Sequence, residues 1–169
     1  MSNIVQEVKD MNVAFGKPEG NISDFITLVD TPADYDKWEV LRTQANCIPE
    51  ELNELFEALD EYDINEVRDA VCDILVFTIG LGHLAGMNLE HDMHKVYESN
   101  MSKFCATQNI LDLTIKKYSD MGVEVEERGS WPRKYVVSSK DQWSSDMTKL
   151  FPKGKFLKGI NFEAPDFVN

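Results

Sequence analysis

The sequence predicts a mainly α fold: a helical bundle carrying a small helix-plus-β-hairpin accessory element. Three observations predict it. Apolar residues recur at intervals of three and four through most of residues 1–105, the pattern of helices that bury one face. The links between these stretches are short, which makes successive helices antiparallel neighbours. Beyond Thr107 one more helical stretch gives way to strict alternation, the period of strands.

The elements follow in order. Ile4, Val5, Val8, Met11 and Ala14 or Phe15 form the apolar side of a short helix over 2–15 that stops before Gly16. Residues 17–34 contain Pro18, Gly20, Asn21 and Pro32 and read as a loop with local turns. A second helix starts between Pro32 and Asp36 and holds Trp38, Leu41 and Ala45 on one side. Pro49 fits the first turn of a third helix, where its missing N–H costs nothing, and Leu52, Leu55, Phe56 and Leu59 supply the core stripe. Tyr62, Asp63 and Ile64 then link to a helix over 66–85, capped by Asn65. Asn88 or Leu89 opens the next, which runs through Met93, Val96, Tyr97 and Met101 to about Phe104. Thr107 to Met121 is helical and closed by Gly122, while residues 123–128 and 134–139 flank a turn at 129–132 as strands. The predicted organisation is a helical catalytic domain over 1–105, an accessory helix and hairpin over 106–150, and a tail over 151–169 that returns to the catalytic domain.

With 169 residues, 43% of them hydrophobic, the chain can bury a core of ordinary size. A formal charge of −13 argues against nucleic acid as a partner, because a phosphate backbone calls for basic patches. It leaves room for a phosphorylated small molecule bridged to carboxylates by metal. The N-terminus lacks a basic segment followed by an apolar one. The longest apolar run, interrupted by Thr78, Gly80, Gly82 and His83, is too short for a membrane span. Cys47, Cys72 and Cys105 form no C-x-x-C pair and read as reduced, buried residues of a cytoplasmic protein.

Two of the predicted helices carry paired carboxylates. Glu50, Glu51 and Glu54 lie three or four residues apart, and so do Asp69 and Asp73, so each set projects to one side of its helix. Asp73 opens the run Ile74-Leu75-Val76-Phe77-Thr78-Ile79, which reads as too apolar for the surface. A buried carboxylate must be protonated, paired or bound to a cation. Between Ala45 and Ser99 the only Lys or Arg residues are Arg68 and Lys95. A hard divalent cation, Mg²⁺ or Mn²⁺, therefore suits this oxygen-rich set better than Zn²⁺. For the first helix alone, a solvated acidic face continuing through Glu57, Asp60 and Glu61 explains the charges equally well; the second pair, on an antiparallel neighbour, favours a metal site.

The remaining motifs are weaker. Gly80, Gly82 and Gly86 end a helix rather than joining a strand to one, so close packing or a C-cap outweighs a nucleotide loop. His83 reads as a packed or capping residue, and His91 and His94 as surface positions. Lys103, one turn after Asn100, either complements the C-terminal helix dipole or meets phosphate.

The motifs Glu50-Glu-Leu-Asn-Glu54, Asp69-Ala-Val-Cys-Asp73, Gly80-Leu-Gly-His83, Ser99-Asn-Met-Ser-Lys103 and the late Gly154-Lys-Phe-Leu-Lys-Gly159 resemble the phage branch of the MazG-like nucleotide pyrophosphohydrolases, often labelled phosphoribosyl-ATP pyrophosphohydrolase-like. The resemblance spans about residues 3–103 plus the tail from Gly154. It implies an all-α fold, homodimers or homotetramers, and hydrolysis of a nucleoside triphosphate to monophosphate and pyrophosphate with two or more Mg²⁺ or Mn²⁺ ions. By position it makes Glu51, Glu54, Asp69 and Asp73 metal ligands and Glu50 a further ligand or the base that orients water. It gives Asn100 and Lys103 the phosphate, and brings Lys155 or Lys158 over the nucleotide. The family's second motif would place a glutamate at Ala70; Asp69 stands in for it. Trp38 is the expected stacking partner of the base. Guanine, the base associated with the MazZ-type phage relatives, is the first expectation for dGTP or GTP. dUTP and phosphoribosyl-ATP are the enzymatic alternatives, and an acidic, non-enzymatic phage binding protein is the alternative from another class. The expected location is the cytoplasm, the host's for a phage-encoded chain, with neither nucleic acid nor membrane as partner.

Overall fold

The computed structural model describes residues 3–26 and 35–167. Its elements are α1 (Ile4–Ala14), a single 3-10 turn (Ile22–Asp24), α2 (Tyr35–Asp60), α3 (Ile64–Ala85), α4 (Leu89–Met101), α5 (Gln108–Asp120) and five short strands, β1 (Val125–Arg128), β2 (Tyr135–Ser138), β3 (Gln142–Trp143), β4 (Leu150–Phe151) and β5 (Phe156–Leu157). The fold is mainly α, with a small β region, as the periodicity predicts. The second part of the 17–34 loop and any helix start at Pro32 lie outside the described residues. The chain divides into two compact units, residues 1–92 and 93–169.

In the first unit, α2 and α3 pack as an antiparallel pair. The Asp63 N–H donates to the Ala58 carbonyl at the connection (3.0 Å), while farther back Gln44 Nε2 donates to the Phe77 carbonyl (3.4 Å). The expected break at Pro49 does not occur: 35–60 is one helix with Pro49 inside it. Proline removes one helix hydrogen bond there, to the Ala45 carbonyl, at a cost of about 3 kcal/mol in a free helix. Packing along α3 on both sides of the proline outweighs that local preference. The cap of α3 also differs from expectation. Asp63, not Asn65, accepts from the N–H groups of Asn65 and Glu66 (2.9 and 3.3 Å), because its side chain precedes the first helical residue. At the other end Gly86 takes the left-handed conformation (φ 68°) and the Met87 N–H reaches back to the Gly82 carbonyl (2.9 Å), a Schellman closure. A Cβ on Gly82 would lie 2.5 Å from Leu89 Cδ1. The glycine run thus serves packing and capping.

Several residues read as core are not covered by this chain. On α2, Leu52, Phe56 and Leu59 are exposed, and Leu75 on α3 is 44% exposed. The run after Asp73 is therefore only partly buried, with Thr78 exposed as well, and Cys72 lies on the surface rather than inside; Cys47 is partly buried and Cys105 fully so. The physical reason is that α2 and α3 each carry more apolar surface than their mutual contact can cover.

In the second unit α5, capped by Thr107, packs Leu111 and Tyr118 against Val123, Val136, Phe151, Leu157 and Cys105. The expected hairpin is present, with Val125 opposite Ser138 and Arg128 opposite Tyr135. The tail adds β5 to the far side of β2, Leu157 opposite Val136, and Asn161 Nδ2 donates to the carbonyls of Ser102 (2.9 Å) and Phe104 (3.1 Å). α4 ends at Met101, short of the expected Phe104, because the following N–H groups of Lys103 and Phe104 make tighter bonds to Asn100 and Met101. Among the described residues no single helix is long and apolar enough to cross a membrane.

The acidity is unevenly distributed. Residues 1–92 hold 20 Asp and Glu against 5 Lys and Arg, whereas 93–169 hold 10 against 12. The negative field belongs to the unit that carries the paired carboxylates.

Candidate functional site

Helix α2 supplies Glu50, Glu51 and Glu54, and α3 supplies Asp69 and Asp73. Glu51 and Asp73 are partly buried and the other three are exposed. The carboxyl of Glu51 is held above its ordinary value, first by loss of water around it and then by the negative charges of Glu54, Asp73, Glu50 and Asp69. One carboxylate thus feels all four others, so the antiparallel pairing brings the two predicted sets into a single electrostatic site.

Among the described residues, no three His, Cys, Asp or Glu side chains converge closely enough to grip an ion. Like charges at this spacing push one another apart. The donor set is nonetheless all hard carboxylate oxygen, and the raised proton affinity of Glu51 registers a negative potential that a divalent cation would relieve. The residues present fit such an ion in chemistry. Ala70, where the related motif has glutamate, is 4% exposed, so that position faces the interior. Asp69 instead borders an open cavity of about 410 Å³ with Asn65, Glu66, Arg68 and Cys72.

The other predicted residues have these surroundings. Trp38 is 44% exposed near the start of α2 and meets the Phe25 ring edge-on, centroids 5.3 Å apart. Asn100, Lys103, Lys155 and Lys158 belong to the second unit. Lys103 Nζ donates to Asn100 Oδ1. Lys155 Nζ lies 5.8 Å from the centroid of Phe151, and Lys158 Nζ lies 3.8 Å from that of Phe162. His83 is packed, as expected, with Nε2 2.9 Å from the Lys17 carbonyl, and His91 and His94 are exposed.

The structure also brings together residues that the motifs did not single out. Lys17, Asp36, Glu39, Val40, Thr43, Gln44 and Leu84 line a cavity of about 350 Å³ in the first unit. Gln44 is 6% exposed, and Lys17 Nζ donates to its Oε1 (3.0 Å). The signal available in sequence was the placement of a polar Gln44 seven residues before Glu51, hence on the same face of α2.

Residues 28–100 match the family model described as phosphoribosyl-ATP pyrophosphohydrolase. The match contains all five carboxylates, Trp38 and Asn100. Lys17, Lys103, Lys155 and Lys158 lie outside it. An uncharacterized protein of Acanthamoeba polyphaga mimivirus is 30% identical over 86 residues, 51% of this chain and 32% of that protein. The chain spans about a third of the length of this relative.

Proposed function

We propose that the protein is a divalent-metal-dependent nucleoside triphosphate pyrophosphohydrolase, releasing pyrophosphate and a nucleoside monophosphate by hydrolysis between the α- and β-phosphates. The observation that carries this reading is the antiparallel pairing of α2, with Glu50, Glu51 and Glu54, and α3, with Asp69 and Asp73, in which lost water and then the other four charges raise the proton affinity of Glu51, within the stretch that matches the family model. Glu51, Glu54, Asp69 and Asp73 would hold Mg²⁺ or Mn²⁺, two or more ions. When bound, such ions neutralise charge developing on the phosphates and lower the pKa of an attacking water. Glu50, exposed beside Glu51, orients that water and accepts its proton, or completes the ligand set. Asn100 and Lys103 supply an amide and a cation suited to phosphate oxygens, with Lys155 and Lys158 as further cations. Trp38 offers an exposed ring for stacking on the base.

The proposed substrate is dGTP or GTP, with dUTP and phosphoribosyl-ATP, named in the matched family, as alternatives. A purely acidic binding surface would need its carboxylates spread over solvent, whereas Glu51 is partly desolvated among them. The exposed stripe of Leu52, Phe56 and Leu59 supports assembly into a homodimer or homotetramer. The test is incubation with a panel of nucleotides and Mg²⁺, scored for pyrophosphate and monophosphate. Pyrophosphate release that vanishes in excess chelator is the expected result; orthophosphate as the first product, or no turnover of any nucleotide, refutes the proposal.

A further inference from the structure

The cavity lined by Lys17, Asp36, Glu39, Thr43, Gln44 and Leu84 is built around a fixed lysine. The Lys17 N–H donates to the Asn12 carbonyl (2.9 Å), its carbonyl meets His83 Nε2 (2.9 Å), and the nearby Gly20 N–H donates to the His83 carbonyl (3.0 Å). A Cβ on Gly20 would lie 1.9 Å from the Leu84 carbonyl oxygen, so the loop is pressed onto the end of α3. The Lys17 backbone is thereby anchored, while its ammonium, 3.0 Å from Gln44 Oε1, keeps donors to spare at the cavity. Asp36 and Glu39, one turn apart on α2, add carboxylate acceptors, Glu39 sharing its charge with Arg42 at 3.2 Å.

The position relative to the acidic site is set by α2 itself. Gln44 and Glu51 are seven residues apart, close to two turns, so they lie on one face about 10 Å apart along the axis. A triphosphate held at the carboxylates would have its base at about this remove. A cavity of about 350 Å³ is at the small end of ligand sites, room for a base rather than a whole nucleotide.

We infer that this cavity, which Trp38 does not line, holds the nucleobase in place of stacking on that ring, with the Lys17 ammonium donating to a ring carbonyl and Asp36 and Glu39 accepting from the adjacent ring N–H. The site selects keto bases, guanine, uracil or thymine, over adenine and cytosine. The assignment of this cavity to a base rests on the pyrophosphohydrolase reading; the cavity and its lining do not. A polar base edge left without a partner is costly, so a cation held by Gln44 beside two carboxylates discriminates by leaving mismatched edges unpaired.

Two measurements on the same protein separate the two ideas. Equilibrium dialysis of dGMP, dUMP, dAMP and dCMP in EDTA reads the pocket, and pyrophosphate release from the matching triphosphates with Mg²⁺ reads the chemistry. Wild type is expected to prefer dGMP or dUMP. Lys17→Met should cut that preference by about tenfold, the loss of one charge-assisted hydrogen bond, and Thr43→Trp should block all four nucleotides by filling the cavity. The Lys17 side chain is exposed, so Lys17→Met carries the test even where Thr43→Trp fails to fold. Unchanged base preference in Lys17→Met overturns the pocket, whatever the rate of hydrolysis. Base-selective binding that depends on Lys17, without pyrophosphate release, leaves the pocket standing and removes the pyrophosphohydrolase reading. No nucleotide binding by wild type overturns the pocket outright.

Discussion

Glu51 lies partly desolvated, and the loss of water and then the charges of Glu54, Asp73, Glu50 and Asp69 raise its proton affinity. Asp73→Asn keeps the shape and removes one negative charge from this set. Turnover should fall below about a tenth of wild type, since a lost metal ligand costs several kcal/mol of barrier, while the metal-free protein melts no lower. Preserved turnover in the asparagine variant would falsify the assignment. A separate residue contributes to stability in acid. Asp146 is held below its ordinary 3.8, first by the Ser144 hydroxyl and then by the Thr148 N–H and hydroxyl (3.1 and 2.8 Å). A carboxyl depressed in the folded state contributes stability above its unfolded value, and that contribution is lost as pH falls through the folded value. Asp146→Asn should therefore lose less stability than wild type as pH falls from neutral through the ordinary carboxylate value into acid. Urea midpoints at both ends of that window check it, and equal acid losses in the two proteins exclude the role.

At the scale of elements, α2 has to run unbroken through Pro49 for Gln44 and Glu51 to share one face, because a break would rotate one half against the other. Pro49→Ala restores the N–H that the Ala45 carbonyl lacks and should stabilise the protein by roughly 1 kcal/mol or more, part of the helix-interior cost of proline. A chain in which Pro49 starts a separate helix would gain nothing, since proline is favourable at that position, so a neutral or lower urea midpoint argues for the break. The Asp63 cap and the Gly86 closure fix the ends of α3 and with them the register that sets Asp69 and Asp73 against α2.

For the whole molecule, the exposed Leu52 (41%), Phe56 (57%) and Leu59 (49%) stand in a helical stripe that a second copy would cover. Light scattering should give a multiple of 19.3 kDa across micromolar concentrations, and Phe56→Lys should shift the population toward the monomer, because it buries a charge at the proposed contact. Wild type at the monomer mass would end the oligomer proposal. The charge asymmetry makes a second prediction. With 20 acidic residues against 5 basic ones in residues 1–92, Mg²⁺ or Mn²⁺ binding should stabilise the native state by mass action, by about 2.7 kcal/mol at a hundredfold excess over Kd, and so raise the melting temperature. Asp73→Asn should lose most of that rise. A rise of equal size in the variant would assign it to nonspecific screening.

Local sequence determined the period of each helix, the hairpin at 123–139, the glycine closure of α3 and the spacing of Glu50, Glu51, Glu54, Asp69 and Asp73, because these depend on residues within a turn or two of one another. It misjudged Pro49, Asn65 and the burial of Cys72 and Leu52, since a proline's local cost is set against packing with a distant helix, and periodicity says that a face is apolar without saying what covers it. Only the tertiary structure decided that four carboxylates act on Glu51 and that Lys17 stands beside Gln44, 27 residues farther along the chain. Those juxtapositions arise from the antiparallel register of α2 and α3 and from the loop pinned by His83, long-range closures that no local pattern encodes.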